Sequence, residues 1–211
     1  MSALIVSDVE KKTRMKAIAA LAGLLLLAFP LLAQEEETLL KGTIESGGFG
    51  GPVVKLGSFN SESGVLVGGR GGWIINHTFI LGGGGYGLVN NVRARFLGPR
   101  GERYLAFGYG GLELEYVPQW NEIVHVSFMM LIGGGGVGWR DTQAEAVPRE
   151  EESDAFFILE PAANVTLNVT PHFRLSVGLS YRYITGVNST ASSNSGLSGP
   201  SGVLTFRFGK F

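Results

Sequence analysis

From Gly47 to Phe211, apolar and polar residues alternate with a period of two, and turn residues interrupt the alternation at intervals. A period of two is typical of β-strands whose two faces meet different surroundings. The predicted strands cover residues 47–59, 64–75, 78–89, 103–116, 123–139, 155–169, 172–184 and 200–211. The connections between them lack the apolar period of 3.6 residues and the caps that mark helices. The pattern therefore predicts an all-β protein.

The connections between the predicted strands alternate in length. The short ones are Asn76-His77, Val117–Glu122 and Thr170-Pro171. The long, polar ones are residues 90–102, 140–154 and 185–199, and Asn60–Ser63 is a short member of the same set. An even number of strands with short turns at one end and longer loops at the other is the arrangement of outer-membrane β-barrels. We predict an eight-stranded antiparallel up-and-down transmembrane β-barrel with both termini on the periplasmic, short-turn side.

The two faces of each predicted strand differ in charge. In the seventh strand, Leu175, Val177 and Leu179 alternate with polar residues, and most other strands repeat the arrangement. A soluble barrel turns its apolar face inward and carries its charges outside. Here the aliphatic face is long and almost uncharged, which in water would be an aggregation hazard but suits contact with lipid. A soluble exported barrel or sandwich remains the alternative.

The N-terminal segment has the three parts of a secretory signal. Four basic residues within positions 11–16 precede the apolar run Ala17–Leu32, and Ala33 precedes a polar start. The run of 16 residues is shorter than the ~20 that a spanning helix needs. We predict a signal peptide at residues 1–33, a short periplasmic segment at 34–46 and the barrel at 47–211. A start at Met15 remains open, since it begins a more ordinary signal peptide.

The composition excludes several kinds of site and partner. The chain has no cysteine, which excludes disulfides, cysteine-bound zinc and thiol nucleophiles. Beyond residue 33 it carries 13 basic and 16 acidic residues, so its charge gives no case for nucleic acid. No metal site and no cofactor are predicted. Most of the 33 glycines lie on the first five strands in one cluster per strand, where they indicate bends and close packing or, alternatively, a smooth wall that binds lipid, protein or another ligand.

Over about residues 45–211 the chain resembles the small eight-stranded outer-membrane barrels of the OmpA/OmpX type. The resemblance rests on the signal peptide, the alternating loop lengths and an aromatic last strand. It implies that the barrel-assembly machinery recognises Phe206, Phe208 and Phe211. Phe211 has the opposite parity to the other two, so either a bulge lies at Gly209-Lys210 or the signal ends at Phe208. Pro161 also predicts a bulge, since a closed barrel has no edge strand to hold it.

Charged residues share the predicted inner face. The predicted interior polar cluster consists of Arg70, Glu113, Glu115, His125, Glu160, Arg174, Arg182 and Arg207. Eight strands enclose a space that side chains fill, so we expect these groups to pair as an interior plug rather than line an ion path, which is the alternative. We expect Arg174 to be among the residues that pair with a carboxylate.

His125 and Ser127 share the same face and suggest a hydrolase resembling the barrels that deacylate lipid A. They lie low in the barrel, where lipid does not reach, and the nucleophile motif G-x-S-x-G is missing. We predict instead a hydrogen bond from His125 to Glu113 or Glu115, and no catalytic residue.

Aromatic residues collect near the predicted strand ends, as in the two girdles of a membrane barrel. The predicted girdles contain Trp73, Tyr116, Trp120, Trp139, Phe157, Phe173 and Tyr183. The sequence thus favours a small non-enzymatic outer-membrane barrel with a structural or surface-interaction role. A narrow porin is the alternative, and a lipid-modifying enzyme the third reading. The expected partners are outer-membrane lipid, the assembly machinery and a protein or ligand at the long loops or the glycine-rich wall.

Overall fold

The computed structural model describes residues 45–94, 103–140, 153–189 and 191–211. The strands are β1 (Ser46–Phe59), β2 (Glu62–Ile75), β3 (Phe79–Leu88), β4 (Tyr104–Tyr116), β5 (Val124–Arg140), β6 (Asp154–Thr170), β7 (Phe173–Thr185) and β8 (Gly199–Lys210). One helical turn, α1 (Asn194–Leu197), precedes β8. The predicted signal peptide lies outside the described residues, as does nearly all of the segment 34–46. No helix within the described ranges is long and apolar enough to cross a membrane.

The eight strands form a closed antiparallel barrel in chain order, because β8 pairs with β1. This confirms the predicted fold, and each predicted strand boundary lies within two residues of the observed one. The connections β3–β4, β5–β6 and β7–β8 share one end of the barrel, here called the long-loop end. The connections β2–β3, β4–β5 and β6–β7 share the opposite, short-turn end.

Two of the hairpins turn through left-handed residues. Asn60 and Ser61 have φ of 48° and 69°, and Asn76 and His77 have φ of 49° and 57°. Positive φ at both central residues is the geometry of the two-residue turn that matches the twist of an antiparallel pair. Asn60–Ser63 is therefore not a loop, as its place in the long set implied. Phe59 pairs directly with Glu62, and only two residues reverse the chain.

The predicted bulges are misplaced. β6 keeps one register with β5 across Pro161, and its register with β7 is the same at Leu159 and at Ala162. Pro161 lacks a backbone donor, so it removes a ladder hydrogen bond without inserting a residue. The register shift on β6 lies between Asn168 and Thr170 instead. β8 has one register along its pairing with β1, which excludes the bulge at Gly209-Lys210.

Burial follows the strand pleat. Leu179 on the outer face of β7 is 72% exposed, whereas Ser180 and Arg182 beside it point inward and are buried. The same alternation leaves many large aliphatic and aromatic side chains exposed on the outer wall while charged side chains are buried in the lumen. A barrel in water would show the opposite arrangement. The outer wall is therefore the apolar surface, and the lumen is the place to look for chemistry.

Candidate functional site

Side chains occupy the lumen in three layers. An apolar layer at the long-loop end is built around Phe59, Leu105, Phe107, Phe156 and Ile158. A second, smaller apolar layer at the short-turn end contains Phe49, Ile74, Ile80 and Val117, with Phe211 packed against it. The buried charged residues form the lumen cluster, of which Arg182 lies at the level of the long-loop apolar layer and the others lie between the two layers. The lumen cluster consists of Lys55, Arg70, Glu113, Glu115, Glu160, Arg182 and Arg207.

Glu115 of β4 is the centre of the largest ion-pair group in this cluster. Its Oε1 accepts from Arg207 Nη2 at 2.7 Å and from Ser127 Oγ at 2.5 Å. Its Oε2 accepts from Arg70 Nη2 at 2.9 Å. Arg70 also contacts the neighbouring carboxylate through Nε, 2.6 Å from Glu113 Oε2. These bonds to charged partners offset the loss of water around two buried carboxylates.

The contact between Arg207 and Glu115 crosses the lumen. Arg207 lies on β8 and Glu115 on β4, which are diametrically opposite in a ring of eight strands. Both side chains are almost completely buried. Two side chains that meet from opposite walls occupy the centre of the cross-section at that level.

A second ion-pair group surrounds Glu160 of β6. The carboxylate accepts from Lys55 Nζ at 2.8 Å, from Tyr109 Oη at 2.7 Å and from Ser180 Oγ at 2.6 Å. Lys55 Nζ also lies 3.6 Å from the centre of the Tyr86 ring, in a cation–π contact. The sequence analysis missed Lys55. Lys55 is two residues after inward-facing Val53, so the alternation of the strand places it on the inner face. The glycines of β1 weaken that alternation and make the position difficult to assign from the sequence.

Arg182 secures the long-loop end. Its guanidinium donates to the Ser58 carbonyl at 3.1 Å, to the Leu197 carbonyl at 3.3 Å and to Ser201 Oγ. It also stacks on Phe59 at 4.1 Å. Arg182 thus has three oxygen acceptors and, among the residues that the structure describes, no carboxylate partner. Through these acceptors it holds the α1 segment on the end of the barrel.

Arg174 and His125 lie inside the barrel, but their contacts differ from the expected ones. Among the described residues, Arg174 contacts no carboxylate and is half-buried, with its guanidinium 4.1 Å from the Phe211 ring. The reason is that Glu113 and Glu115 are already bonded to Arg70 and Arg207. His125 Nδ1 lies 3.1 Å from the Glu122 carbonyl rather than against a carboxylate.

The geometry does not assemble the hydrolase arrangement considered above. Ser127 donates its hydroxyl proton to Glu115 and not to His125, so His125 is not placed to act as its base. Within the described parts of the chain, no three acidic or histidine side chains are grouped as metal ligands.

Several solved structures are similar to this barrel. Neisserial surface protein A matches over 81% of this chain and 100% of its own, with a TM-score of 0.54 and 15% identity. The N-terminal β-barrel domain of Pseudomonas aeruginosa OprF matches over 78% and 96%, with a TM-score of 0.51 and 12% identity. Ail of Yersinia pestis covers 78% of the chain and 94% of its own at 14% identity, with a TM-score of 0.40. No protein-family model and no curated protein sequence matches the chain.

The chain has the fold of the small outer-membrane β-barrels. Identities of 12% and 15% establish that fold and nothing finer. The shared fold agrees with the resemblance that the sequence indicated.

For an outer-membrane barrel, the outer wall is the lipid-facing surface, and most of the predicted girdle residues lie on it. Trp73, Tyr116 and Trp120 are exposed near the short-turn end, and Phe157 and Tyr183 near the long-loop end. Phe173 stacks on Phe208, with ring centres 4.9 Å apart.

Trp139 is not a girdle residue. It points into the lumen and is 6% exposed, with the Arg103 guanidinium 3.2 Å from its ring centre. Its parity on β5 is that of buried Leu131 and Val137, so the pleat places it inside although it lies at girdle height.

The C-terminal phenylalanines lie on different sides of the wall. Phe206 and Phe208 share the outer face of β8, and Phe208 is exposed. Phe211 stacks on Phe49 with ring centres 6.2 Å apart, within the apolar layer at the short-turn end. The role of these three residues in assembly stays a prediction.

The glycines of the barrel differ in how closely they are packed. At inward positions such as Gly133, an added Cβ would overlap a backbone carbonyl oxygen of the neighbouring strand. At the outward positions Gly71 and Gly110 it would lie 2.9 Å and 2.8 Å from such an oxygen, whereas at outward Gly85 and Gly87 its nearest neighbour would be at 4.0 Å or farther. Close packing therefore accounts for the inward glycines and for some outward ones. Gly85 and Gly87 leave bare backbone on the lipid-facing wall.

Proposed function

We propose that the protein is a non-enzymatic component of the bacterial outer membrane. In this proposal it spans the membrane as a plugged barrel and presents its long-loop end to the outside. Both termini are on the periplasmic side. The barrel itself has a structural role, and the long-loop end carries the interactions with other molecules.

The observation that carries the proposal is the ion pair between Arg207 and Glu115. An eight-stranded barrel has a lumen only wide enough for side chains, and this pair reaches across it from opposite walls. The Lys55–Glu160 pair fills a second level, and apolar layers lie beyond both. This packing supports a structural role over a porin.

The long-loop end supports the second half of the proposal because its segments are held together. Asn60 of the β1–β2 turn donates its backbone N–H to the Gly196 carbonyl at 2.8 Å. Its side chain donates to the carbonyls of Arg93 and Ala191 at 3.2 Å and 3.4 Å. One turn residue thus joins the β3–β4 and β7–β8 connections. A surface fixed in this way is preorganised for binding, which lowers the entropy lost on association.

The same geometry argues against catalysis in the lumen. The Ser127 hydroxyl is bonded to an ionised carboxylate, and His125 lies beside a backbone carbonyl, so no base activates a nucleophile. The residues also lie inside the wall, away from lipid.

Planar-bilayer recording tests the plugged lumen. We expect no steady conductance from the purified wild-type barrel, in a bilayer shown to be competent by a large porin added afterwards. A steady conductance whose ion selectivity changes in Arg207→Gln would show that these charges line a pore.

Single-cysteine labelling tests the location and the orientation, since the chain has no cysteine of its own. Ser195→Cys at the long-loop end and Gln119→Cys at the short-turn end are both exposed and provide a matched pair. A membrane-impermeant maleimide should label Ser195→Cys on intact cells and Gln119→Cys only after the outer membrane is permeabilised. The reverse pattern would contradict the orientation, and recovery of the protein in the soluble fraction would contradict membrane residence.

A further inference from the structure

The lumen cluster contains more positive than negative charge. Glu113, Glu115 and Glu160 are its buried carboxylates, and they serve Arg70, Arg207 and Lys55. Arg182 is bonded to neutral oxygens at the long-loop end, as described above. Arg174, at the short-turn end, has no carboxylate partner among the described residues.

No carboxylate oxygen near Arg174 remains available to it. Glu115 uses Oε1 for Arg207 and Ser127 and Oε2 for Arg70. Glu113 uses Oε1 for the Tyr86 hydroxyl and Oε2 for Arg70. In the described parts of the chain, Arg174 is the interior cation whose contacts include no oxygen acceptor, and its guanidinium packs on the Phe211 ring.

The groups that face Arg174 from the neighbouring strands are basic or neutral. Arg207 of β8 is its direct cross-strand partner, and Asn168 of β6 is directly opposite on the other side. His125 of β5 is inward-facing and lies within electrostatic range of both arginines. Like charges directly opposite each other on adjacent strands destabilise the pair. Arg207 Nε is also buried without an acceptor.

We propose that the short-turn end of the lumen binds a small oxyanion, with Arg174 as the main ligand and Arg207 Nε as a second donor. The ligand class is a phosphate or sulfate group, because the planar guanidinium fork bonds two oxygens of such a group at once. Arg174 is half-buried whereas Arg207 is almost fully buried, so the anion enters from the short-turn mouth and meets Arg174 first. The bound anion separates the two guanidinium charges and supplies charged acceptors, which the one buried neutral acceptor without a donor on the facing strand, Asn168 Oδ1, does not replace.

The site can be tested by titrating the folded wild-type barrel in nonionic detergent with inorganic phosphate. The readouts are the ³¹P line width and the urea midpoint of unfolding, with sodium chloride of equal ionic strength as the reference. We expect line broadening that saturates as the site fills, and an unfolding midpoint that keeps rising with the logarithm of phosphate concentration above Kd. The sodium chloride reference measures the effect of general salt screening, which is subtracted.

Two variants separate a built site from general attraction. Arg174→Gln should weaken phosphate binding at least tenfold, and Lys210→Gln, which removes the same charge from the exposed end of β8, should leave Kd within twofold. Heat-modifiable migration on gels verifies that both variants fold. Equal affinity in wild type and Arg174→Gln, or identical responses to phosphate and chloride, would overturn the proposal.

A phosphate group can also come from a lipid headgroup, and short-chain phosphatidic acid distinguishes the two sources. If it binds and inorganic phosphate does not, with the same loss in Arg174→Gln, the site takes a lipid phosphate. Binding of inorganic phosphate alone identifies a dissolved ligand. Failure of both probes overturns the site and leaves the plugged barrel untouched, because conductance is measured separately.

Discussion

Replacing Arg207 with alanine should destabilise the barrel far more than the same replacement at Arg174. The two arginines are cross-strand partners on β7 and β8, so the comparison holds residue type, substitution and height along the barrel nearly constant. Arg207 is almost fully buried and bonds to Glu115 across the lumen at 2.7 Å, whereas Arg174 is half-buried and contacts an aromatic ring. The two variants therefore compare a buried arginine that has a carboxylate partner with a neighbouring one that has none.

The expected magnitudes follow from these contacts. Breaking a buried ion pair by removing one partner costs about 3–5 kcal/mol, because the remaining charge stays buried without compensation. Arg70 keeps its bond to Glu115 in the Arg207→Ala variant, so we expect a value near the lower limit, about 3 kcal/mol. Arg174→Ala loses a cation–π contact worth about 0.5–1 kcal/mol at an accessible site and relieves repulsion from Arg207.

Urea unfolding in detergent micelles, followed by tryptophan fluorescence, measures both values. With a slope of about 2 kcal/mol per M, Arg207→Ala should lower the midpoint by roughly 1.5 M and Arg174→Ala by less than about 0.5 M. The buffer should contain chloride and no phosphate, since a bound oxyanion would raise the cost of removing Arg174. Equal shifts for the two variants would refute the pairing of Glu115 with Arg207.

Two further predictions concern the wall. Val177→Arg on the lipid-facing side of β7 should lower the free energy of unfolding in lipid vesicles by about 2–4 kcal/mol. Ser176→Ala beside it loses one hydrogen bond to Thr166 and should lower it by about 1 kcal/mol. Equal losses in urea titrations would contradict the assignment of the two faces. Gly133→Ala inside the barrel should lower the free energy of unfolding by about 1–3 kcal/mol through overpacking. Gly85→Ala on the outer face should be neutral or stabilising by up to about 1 kcal/mol. A large loss of thermal stability in Gly85→Ala would show that this outward position is packed as closely as Gly133.

The fold was predictable because alternation, turn residues and loop lengths are local properties of the sequence. Trp139 shows where two sequence signals disagree. The alternation along β5 places its side chain inside the barrel, whereas its position near a strand end suggested a girdle residue. The pleat decides the side of the wall, so parity is the stronger guide wherever the register is unbroken. Lys55 escaped notice because glycines flank its strand and interrupt the alternation.

The partners inside the lumen were not predictable from the pattern. Glu115 and Arg207 are 92 positions apart, and which cation reaches which carboxylate depends on the stagger of eight strands. Sequence reasoning identified the inward charges but assigned Arg174 a carboxylate that the geometry gives to others. The turn at Asn60-Ser61 and the bulge after Asn168 likewise depend on register, which the sequence alone leaves open.

The cross-lumen pairs have a consequence for the order in which the barrel assembles. Lys55 and Glu160 are 105 positions apart, and Arg207 and Glu115 belong to strands that become opposite walls only when β8 meets β1. Hairpins of neighbouring strands can form earlier, but within a hairpin the buried carboxylates meet only neutral donors such as Tyr86, Ser127 and Ser180. The ion pairs of Arg207 and Lys55 therefore arrive together with closure, which favours the closed barrel over partly paired sheets. Closure of this barrel should be a cooperative step, and loss of the last strand should leave several charges unpaired on distant strands at once.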